Sequence, residues 1–254
     1  MDILIERTAD VQTITFNRPD KKNAITSAMY QTMADALAQA QSDATVRAIL
    51  IRGSVGIFSA GNDLEDFMKK PPVGEEAPVF RFLRAISSAE KPLVASVAGA
   101  AVGVGTTLLL HCDMVYAADN ATFSLPFSQL GLCPEAASSL LLQRVAGYQA
   151  AAEKLMLGEP FDANEAQRMG FVNRLLPAAE VDAFALQQAQ KLAALPASSL
   201  RVTKQLMKRA AQHELQAQMT DEAVHFAKML LAPEAKEAFK AFFEKRKPDF
   251  RQFN

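Results

Sequence analysis

Two features of the stretch from Ala98 to Ser139 could do chemistry. The first is a turn spaced by Gly99, Gly103 and Gly105 that runs into the apolar segment Thr106–His111. Glycine permits tight backbone paths, and a turn opening into a helix leaves N–H groups pointing outward at the positive end of the helix dipole. Such a corner can hold an oxygen that is gaining negative charge. Close packing of a strand on a helix calls for the same glycines, and the pattern alone leaves both uses open. It is not a dinucleotide fingerprint, because Gly103-Val104-Gly105 lacks a third glycine three residues on. The second feature is Glu135, directly after Pro134 and the only charged residue between Thr122 and Gln143. A carboxylate facing an apolar pocket has its pKa raised and becomes a proton carrier near neutral pH. Pro134 and Glu135 also suit the first turn of a helix, where an acid complements the dipole.

The elements that must position these groups follow from periodicity. Ile3–Arg7 and Val11–Phe16 are β-rich with a polar break, which predicts a hairpin or two neighbouring strands. Asn17–Asn23 is a basic, turn-rich loop, either a solvated connection or a contact for a phosphate-bearing ligand. Thr26 or Ser27 can cap a helix whose core face holds Ile25, Met29, Met33, Ala36, Leu37 and Ala40. Val46–Arg52 is a buried-type strand, after which Gly61 precedes a second helix start at Leu64–Met68. There the N–H of Asn62 is a candidate exposed donor, and Asp63 a candidate N-cap. Lys69–Pro78, with three prolines and a glycine, reads as a flexible insertion. Val79–Ser88 is predicted as an amphipathic helix, with strands at Leu93–Val97, Met114–Ala117 and Val172–Leu176. Helices are expected at Gly147–Leu157 and at Asp162–Met169, the latter capped by Asp162. From Ala179 the composition shifts to Ala, Gln, Lys and Leu, which predicts helices near 179–194, 198–212, 214–230 and 233–246. Phe239, Phe242 and Phe243 share one face of the last, suited to a core or a neighbouring subunit, and Lys240, Lys245, Arg246 and Lys247 form a basic end.

Composition narrows the class. Half of the 254 residues are hydrophobic, enough for one sizeable core, and 22% are charged. A net charge of −1 gives no electrostatic case for nucleic acid. Cys112 and Cys133 have no metal-site spacing, and two cysteines without a framework fit a reducing, cytoplasmic setting. No apolar run is long enough for a membrane span, no leader pattern opens the chain, and its last residues, RQFN, are not a peroxisomal or reticular address.

Taken together, several motifs resemble the enoyl-CoA hydratase/isomerase, or crotonase, superfamily over essentially the whole chain. They are Phe16-Asn17-Arg18-Pro19 with Asn23-Ala24, Phe58–Leu64, Gly99–Gly105, Cys112-Asp113 and Gly170-Phe171-Val172. The resemblance implies an α/β fold, a crotonase-like ββα superhelical core over 1–195 with a helical C-terminal trimerisation region over 196–254. It implies an acyl-CoA thioester substrate, gripped by an oxyanion hole made of the Asn62 and Val104 backbone N–H groups. It implies a substrate path along Ser59, Ala60, Gly61, Asn62, Asp63 and Leu64, with Gly103 and Phe127 close by and Phe67 a further candidate for the acyl tunnel. The Arg18–Asn23 loop and the C-terminal lysines would meet the CoA phosphates. Assembly as a homotrimer or hexamer follows from the same likeness.

The departures carry the choice of reaction. Hydratases of the family use two glutamates, and their pattern puts Thr107 at the first and Phe127 at the second. Glu135 stands where hydratases tend to carry glycine, and the surrounding segment is similar to the Δ3,Δ2-enoyl-CoA isomerases, most of all the peroxisomal type, whose single glutamate occupies this place. The resemblance therefore implies Glu135 as the catalytic acid and base of an isomerase, with no metal and no cofactor beyond the CoA of the substrate. Hydration, another enolate-forming acyl-CoA reaction, and acyl-CoA binding without turnover are the alternatives.

Overall fold

The structure, a computed structural model, describes residues 1–253 apart from Val55, Lys70, Val73 and Glu75. Part of the predicted insertion at Lys69–Pro78 therefore lies outside the described residues. The strands are β1 (Ile3–Thr8), β2 (Val11–Phe16), β3 (Ala48–Arg52), β4 (Leu93–Val97), β5 (Ala100–Val102), β6 (Met114–Ala118), β7 (Thr122–Ser124), β8 (Phe161–Asp162) and β9 (Arg174–Leu176). The first six helices are α1 (Ser27–Ser42), α2 (Leu64–Lys69), α3 (Pro78–Ser87), α4 (Val104–Thr107), α5 (Ser138–Ala146) and α6 (Tyr148–Leu157). They are followed by α7 (Ala163–Met169), α8 (Val181–Ala194), α9 (Ala197–Arg209), α10 (Gln212–Leu230) and α11 (Pro233–Phe243).

The predicted hairpin forms, with β1 antiparallel to β2, and the large sheet continues in parallel in the order β1-β2-β3-β4-β6-β9. Successive side chains on a strand face opposite sides, so β3 divides its residues between two cores. Ile49 and Ile51 join the main core with the buried face of α1, including Met29, Met33 and Leu37. Ala48 and Leu50 turn to the other side, where Val181, Ala185, Ala189 and Ala193 of α8 cover the sheet at four-residue spacing. Thr26 rather than Ser27 caps α1, its Oγ1 accepting from the Met29 N–H at 3.3 Å. Asp162 caps α7 by accepting from the Glu165 N–H at 2.8 Å.

Three elements differ from the sequence reading. A second sheet, β5-β7-β8, rises beside the first, built from strands of two or three residues, too short to show an alternation. Thr106–His111 is not one helix: α4 ends at Thr107, and Leu108–His111 tightens into a 3-10 turn. The helix after Pro134 begins only at Ser138, so Glu135 stands on an irregular turn ahead of α5 and is not a helix-start residue. A repeated order is now visible: β4 is followed by β5 and α4, and β6 by β7 and α5. The first strand of each pair enters the large sheet and the second enters the small one. Among the described residues no helix is long and apolar enough to cross a membrane.

Candidate active site

Two backbone loops run side by side at the end of the small sheet. Ser59 N–H donates to Ala100 O and Val102 N–H to Ser59 O, both at 2.9 Å. The loops touch so closely that a Cβ on Gly61 would meet the Val102 carbonyl oxygen at 2.7 Å, and φ at Gly61 is +83°. Glycine at 61 is thus required by both space and backbone. Beneath them, Asn23 is fully buried. Its side chain accepts from the Arg18 N–H at 2.8 Å and donates to Ile57 O at 3.0 Å. Ser59 is also fully buried, its hydroxyl donating to Asn23 O at 2.9 Å and accepting from the Gly61 N–H at 3.1 Å. Ser59 therefore shapes the loop from below and does not line its open side.

The orientation of the Asn62 amide follows from its neighbours. Ile25 N–H donates to Gly61 O at 2.8 Å and Asp63 N–H donates to Ile25 O at 2.9 Å. In an extended segment alternate residues face opposite ways, so the intervening Asn62 N–H points away from Ile25. Across the gap Gly103, at φ 54° and ψ −119°, caps α4, and Val104 is its first residue. The first N–H groups of a helix have no carbonyl four residues back. Gly103 N–H is tied to Ser124 O at 2.9 Å, which fixes the corner on β7. Ala60, Gly61, Asn62, Asp63, Leu64, Gly103, Val104 and Phe127 all line one cleft of about 1,050 Å³. Lys21, Lys22, Arg246 and Lys247 also line it. Asp63 is held by Arg18 at 2.6 Å and caps α2 through the Asp66 N–H at 3.0 Å. Burial works to raise its carboxyl, and Arg18 with the α2 amides overcomes this and holds it below the usual range. The predicted phenylalanine stripe of α11 splits: Phe239 is buried, Phe242 and Phe243 are exposed, and all three border this cleft.

Glu135 lies next door. The residue is 7% exposed, and its Oε1 is buried with no hydrogen-bond partner among the described residues. It forms part of the wall of a cavity of about 580 Å³, otherwise largely apolar, with Val79, Leu83, Met219 and Leu230. Phe67 and Phe226 stand in the wall of both cavities, their rings edge to face at 6.4 Å, so the acid and the two amides occupy adjoining chambers. Burial first, and then the charge of Glu222, pushes Glu135 up from 4.5 to about 8. A group with that proton affinity can both take and return a proton at neutral pH.

Three residues at the site carry no sequence signal that the motifs absorbed. Tyr30, fully buried on α1, donates its hydroxyl to the Asn62 side-chain oxygen at 2.5 Å. Burial, and next the charge of Glu135, raise its phenol well above 10. Glu222 of α10 accepts from the Ala137 N–H at 2.6 Å and the Ser139 N–H at 3.1 Å, and it also bonds the Ser139 hydroxyl. His111 contacts Ala136 O through Nε2 at 2.8 Å. Only His111 left a hint, as a polar residue closing the apolar run Leu108–Leu110; Tyr30 stands beside Gln31 and Thr32, and Glu222 beside Asp221, with nothing to set them apart. Thr107 is fully buried with its Oγ1 unpartnered among the described residues.

A buried carboxyl with a raised pKa stands in a cavity adjoining a cleft lined by Asn62 and Val104, an arrangement suited to chemistry through an oxygen that becomes negative. The profile of the enoyl-CoA hydratase/isomerase family matches residues 6–253. Enoyl-CoA delta isomerase 2 of Rattus norvegicus is 38% identical over 97% of this chain, which spans 64% of that protein's length. The 2,3-dehydroadipyl-CoA hydratase of Escherichia coli is 31% identical over 98% of both chains. The crystal structure of an enoyl-CoA hydratase/isomerase from Pseudoalteromonas atlantica superposes with a TM-score of 0.94 at 42% identity, covering 98% of this chain and all of that one. The chain belongs to the enoyl-CoA hydratase/isomerase family and has the crotonase fold, with a helical C-terminal region.

Proposed function

We propose that the protein is a Δ3,Δ2-enoyl-CoA isomerase, moving the double bond of a 3-enoyl-CoA to C2 with Glu135 as its single acid and base. The observation that carries this reading is the Glu135 carboxyl, its Oε1 without a hydrogen-bond partner among the described residues, raised to about 8 in a cavity that adjoins the amide cleft. The Glu135 carboxylate takes a proton from C2, and the electron pair spreads over a dienolate whose negative oxygen sits on the thioester carbonyl. The Asn62 and Val104 N–H groups bind that oxygen more tightly as its charge grows, which lowers the barrier. The neutral Glu135 carboxyl then delivers the proton to C4, giving the 2-enoyl-CoA. Protons balance, and the step consumes no water, metal or redox cofactor.

Hydration would need a second group to manage water. The family resemblance sets Thr107 and Phe127 at the places of the hydratase acids, and neither side chain can serve as a general base. Glu222, the other buried carboxylate on the cavity, has both oxygens engaged by Ala137 and Ser139. The isomerase name of the rat relative supports the same reading. The CoA moiety would lie in the larger cleft with its phosphates against Lys21, Lys22 and the C-terminal basic residues. The reading includes a role in the breakdown of unsaturated fatty acyl chains, a cytoplasmic setting, and a trimer or hexamer built through residues 196–254. Exposed Val202, Leu206 and Met207 on α9 are consistent with such an interface.

The test is to incubate the protein with 3-enoyl-CoA and with 2-enoyl-CoA and to follow bond position and hydration separately. Wild-type protein should interconvert the two isomers without forming 3-hydroxyacyl-CoA, and Glu135→Gln should abolish turnover. Efficient hydration, or near-normal turnover by the Gln variant, would refute the proposal.

A further inference from the structure

The turn that presents Glu135 is held in an unfavourable backbone. Ala136 and Ala137 are both left-handed, at φ 59° and 54°, a region that residues bearing a Cβ seldom occupy and almost never in succession. One peptide unit joins these two residues, and it is gripped at both ends. Its carbonyl, Ala136 O, accepts from His111 Nε2 at 2.8 Å, and its N–H, on Ala137, donates to Glu222 at 2.6 Å. A carbonyl partner requires that Nε2 carry the hydrogen. Burial holds His111 down at about 4, so the imidazole does this while neutral. The other Glu222 oxygen takes the Ser139 N–H, and Gln218 donates to the Ser139 hydroxyl at 2.9 Å. Ser138 N–H closes the turn on Glu135 O at 3.0 Å. Strain of this kind persists only where the surroundings over-determine it.

We propose that Glu222 and His111 are positioning residues that clamp the Ala136–Ala137 peptide from opposite sides and so aim the Glu135 carboxyl into its cavity. The inference rests on Glu135 being the proton carrier. The clamp has an electrostatic consequence. Among the described residues, the charged and titratable groups around Glu135 are Glu222 from α10, Tyr30 from α1, Cys133 from its own loop, and Arg84 of α3 on the same cavity wall, with His111 behind the turn. Burial raises the Glu222 carboxyl while its donors on Ser139 and Ala137 pull it back down, and in its ionised form its negative charge disfavours a second anion at Glu135. One residue thereby fixes both where the acid points and how readily it holds a proton.

The test compares Glu222→Gln, Glu222→Asp and Glu135→Gln with the wild type. It measures steady-state isomerisation together with the Glu135 titration, followed by carbon-13 NMR of labelled glutamate side chains and assigned through Glu135→Gln. Glu222→Gln should lower kcat roughly 10–100-fold with KM little changed, the cost of a small misplacement of the reacting group. It should also move the Glu135 midpoint below the wild-type value. Adding Ala137→Gly, which relieves the left-handed backbone, should recover part of the lost kcat and leave the midpoint low. Glu222→Asp keeps the charge but draws the carboxylate back from the Ala137 N–H. It should lower kcat while the midpoint stays raised, and it carries the test if Glu222→Gln does not fold. Wild-type kcat in Glu222→Asp, or in Glu222→Gln with an unmoved midpoint, would overturn the clamp. Turnover surviving in Glu135→Gln would instead sink the proton-carrier reading, while the midpoint would still report on the clamp.

Discussion

Replacing Glu135 with glutamine should stabilise the protein, and the gain should depend on pH. Burial and Glu222 raise the folded-state value of this carboxyl from 4.5 to about 8, whereas the unfolded chain keeps the ordinary value. Between those limits the folded protein binds more protons at this site than the unfolded one, so wild-type stability falls as pH rises through the window. At about 1.36 kcal/mol per unit, the rise from 4.5 to about 8 amounts to roughly 5 kcal/mol once pH exceeds both values, and roughly 3 kcal/mol of it is already lost at pH 7. Glutamine has nearly the same shape as the protonated acid and never ionises. The two proteins should therefore be of similar stability at pH 4.5 and diverge by roughly 3 kcal/mol at pH 7 and somewhat more at pH 9. Urea unfolding at fixed protein concentration across this range reads the difference, since the other titrating groups are common to both proteins. Parallel stability curves for the two proteins would refute the placement of Glu135 as a buried, weakened acid.

The proposed oxyanion hole can be tested by removing one of its two candidate donors. Val104→Pro deletes its N–H at the first position of α4, where proline is tolerated, and kcat should fall roughly 100–1,000-fold with the far-UV spectrum retained. Gly61→Ala forces a Cβ within 2.7 Å of Val102 O at a positive φ, so it should lower both kcat and the unfolding midpoint. Replacing Lys21 and Lys22 together with glutamine should raise KM for the CoA thioester, more at low than at high salt, and leave kcat near wild type.

Much of this site could be read from residue types because its parts are local. The Gly61 and Gly103 corners signal themselves through glycine before a helix, and Glu135 stands out as one charge in a long uncharged segment. What the chain could not show is direction. Pro134-Glu135 reads as well for the first turn of a helix. Only the two left-handed alanines, whose conformation is imposed by His111 and Glu222, 24 residues before Glu135 and 87 after it, move the helix start to Ser138 and free the acid to face a cavity. The same limit hid Tyr30: on α1 it follows Met29 on a buried face, and its hydroxyl finds Asn62 only after the sheet has formed. Strands β5, β7 and β8 were illegible because two or three residues carry no period, and their pairing is decided by contacts 20 to 40 residues apart. Ser59 was legible as part of a motif, but its role differs from the one the motif suggested, for its hydroxyl is spent on Asn23 and Gly61.

The proposed isomerisation requires that one carboxyl serve both carbons. The decisive measurement follows a 3-enoyl-CoA deuterated stereospecifically at C2 through the reaction in ordinary water, and the conversion of unlabelled substrate in heavy water, reading the faces of C2 and C4 by NMR of the products. A single Glu135 predicts that the hydrogen leaves C2 and enters C4 on the same face. Loss from one face and delivery to the opposite face would require a second acid and would contradict the mechanism.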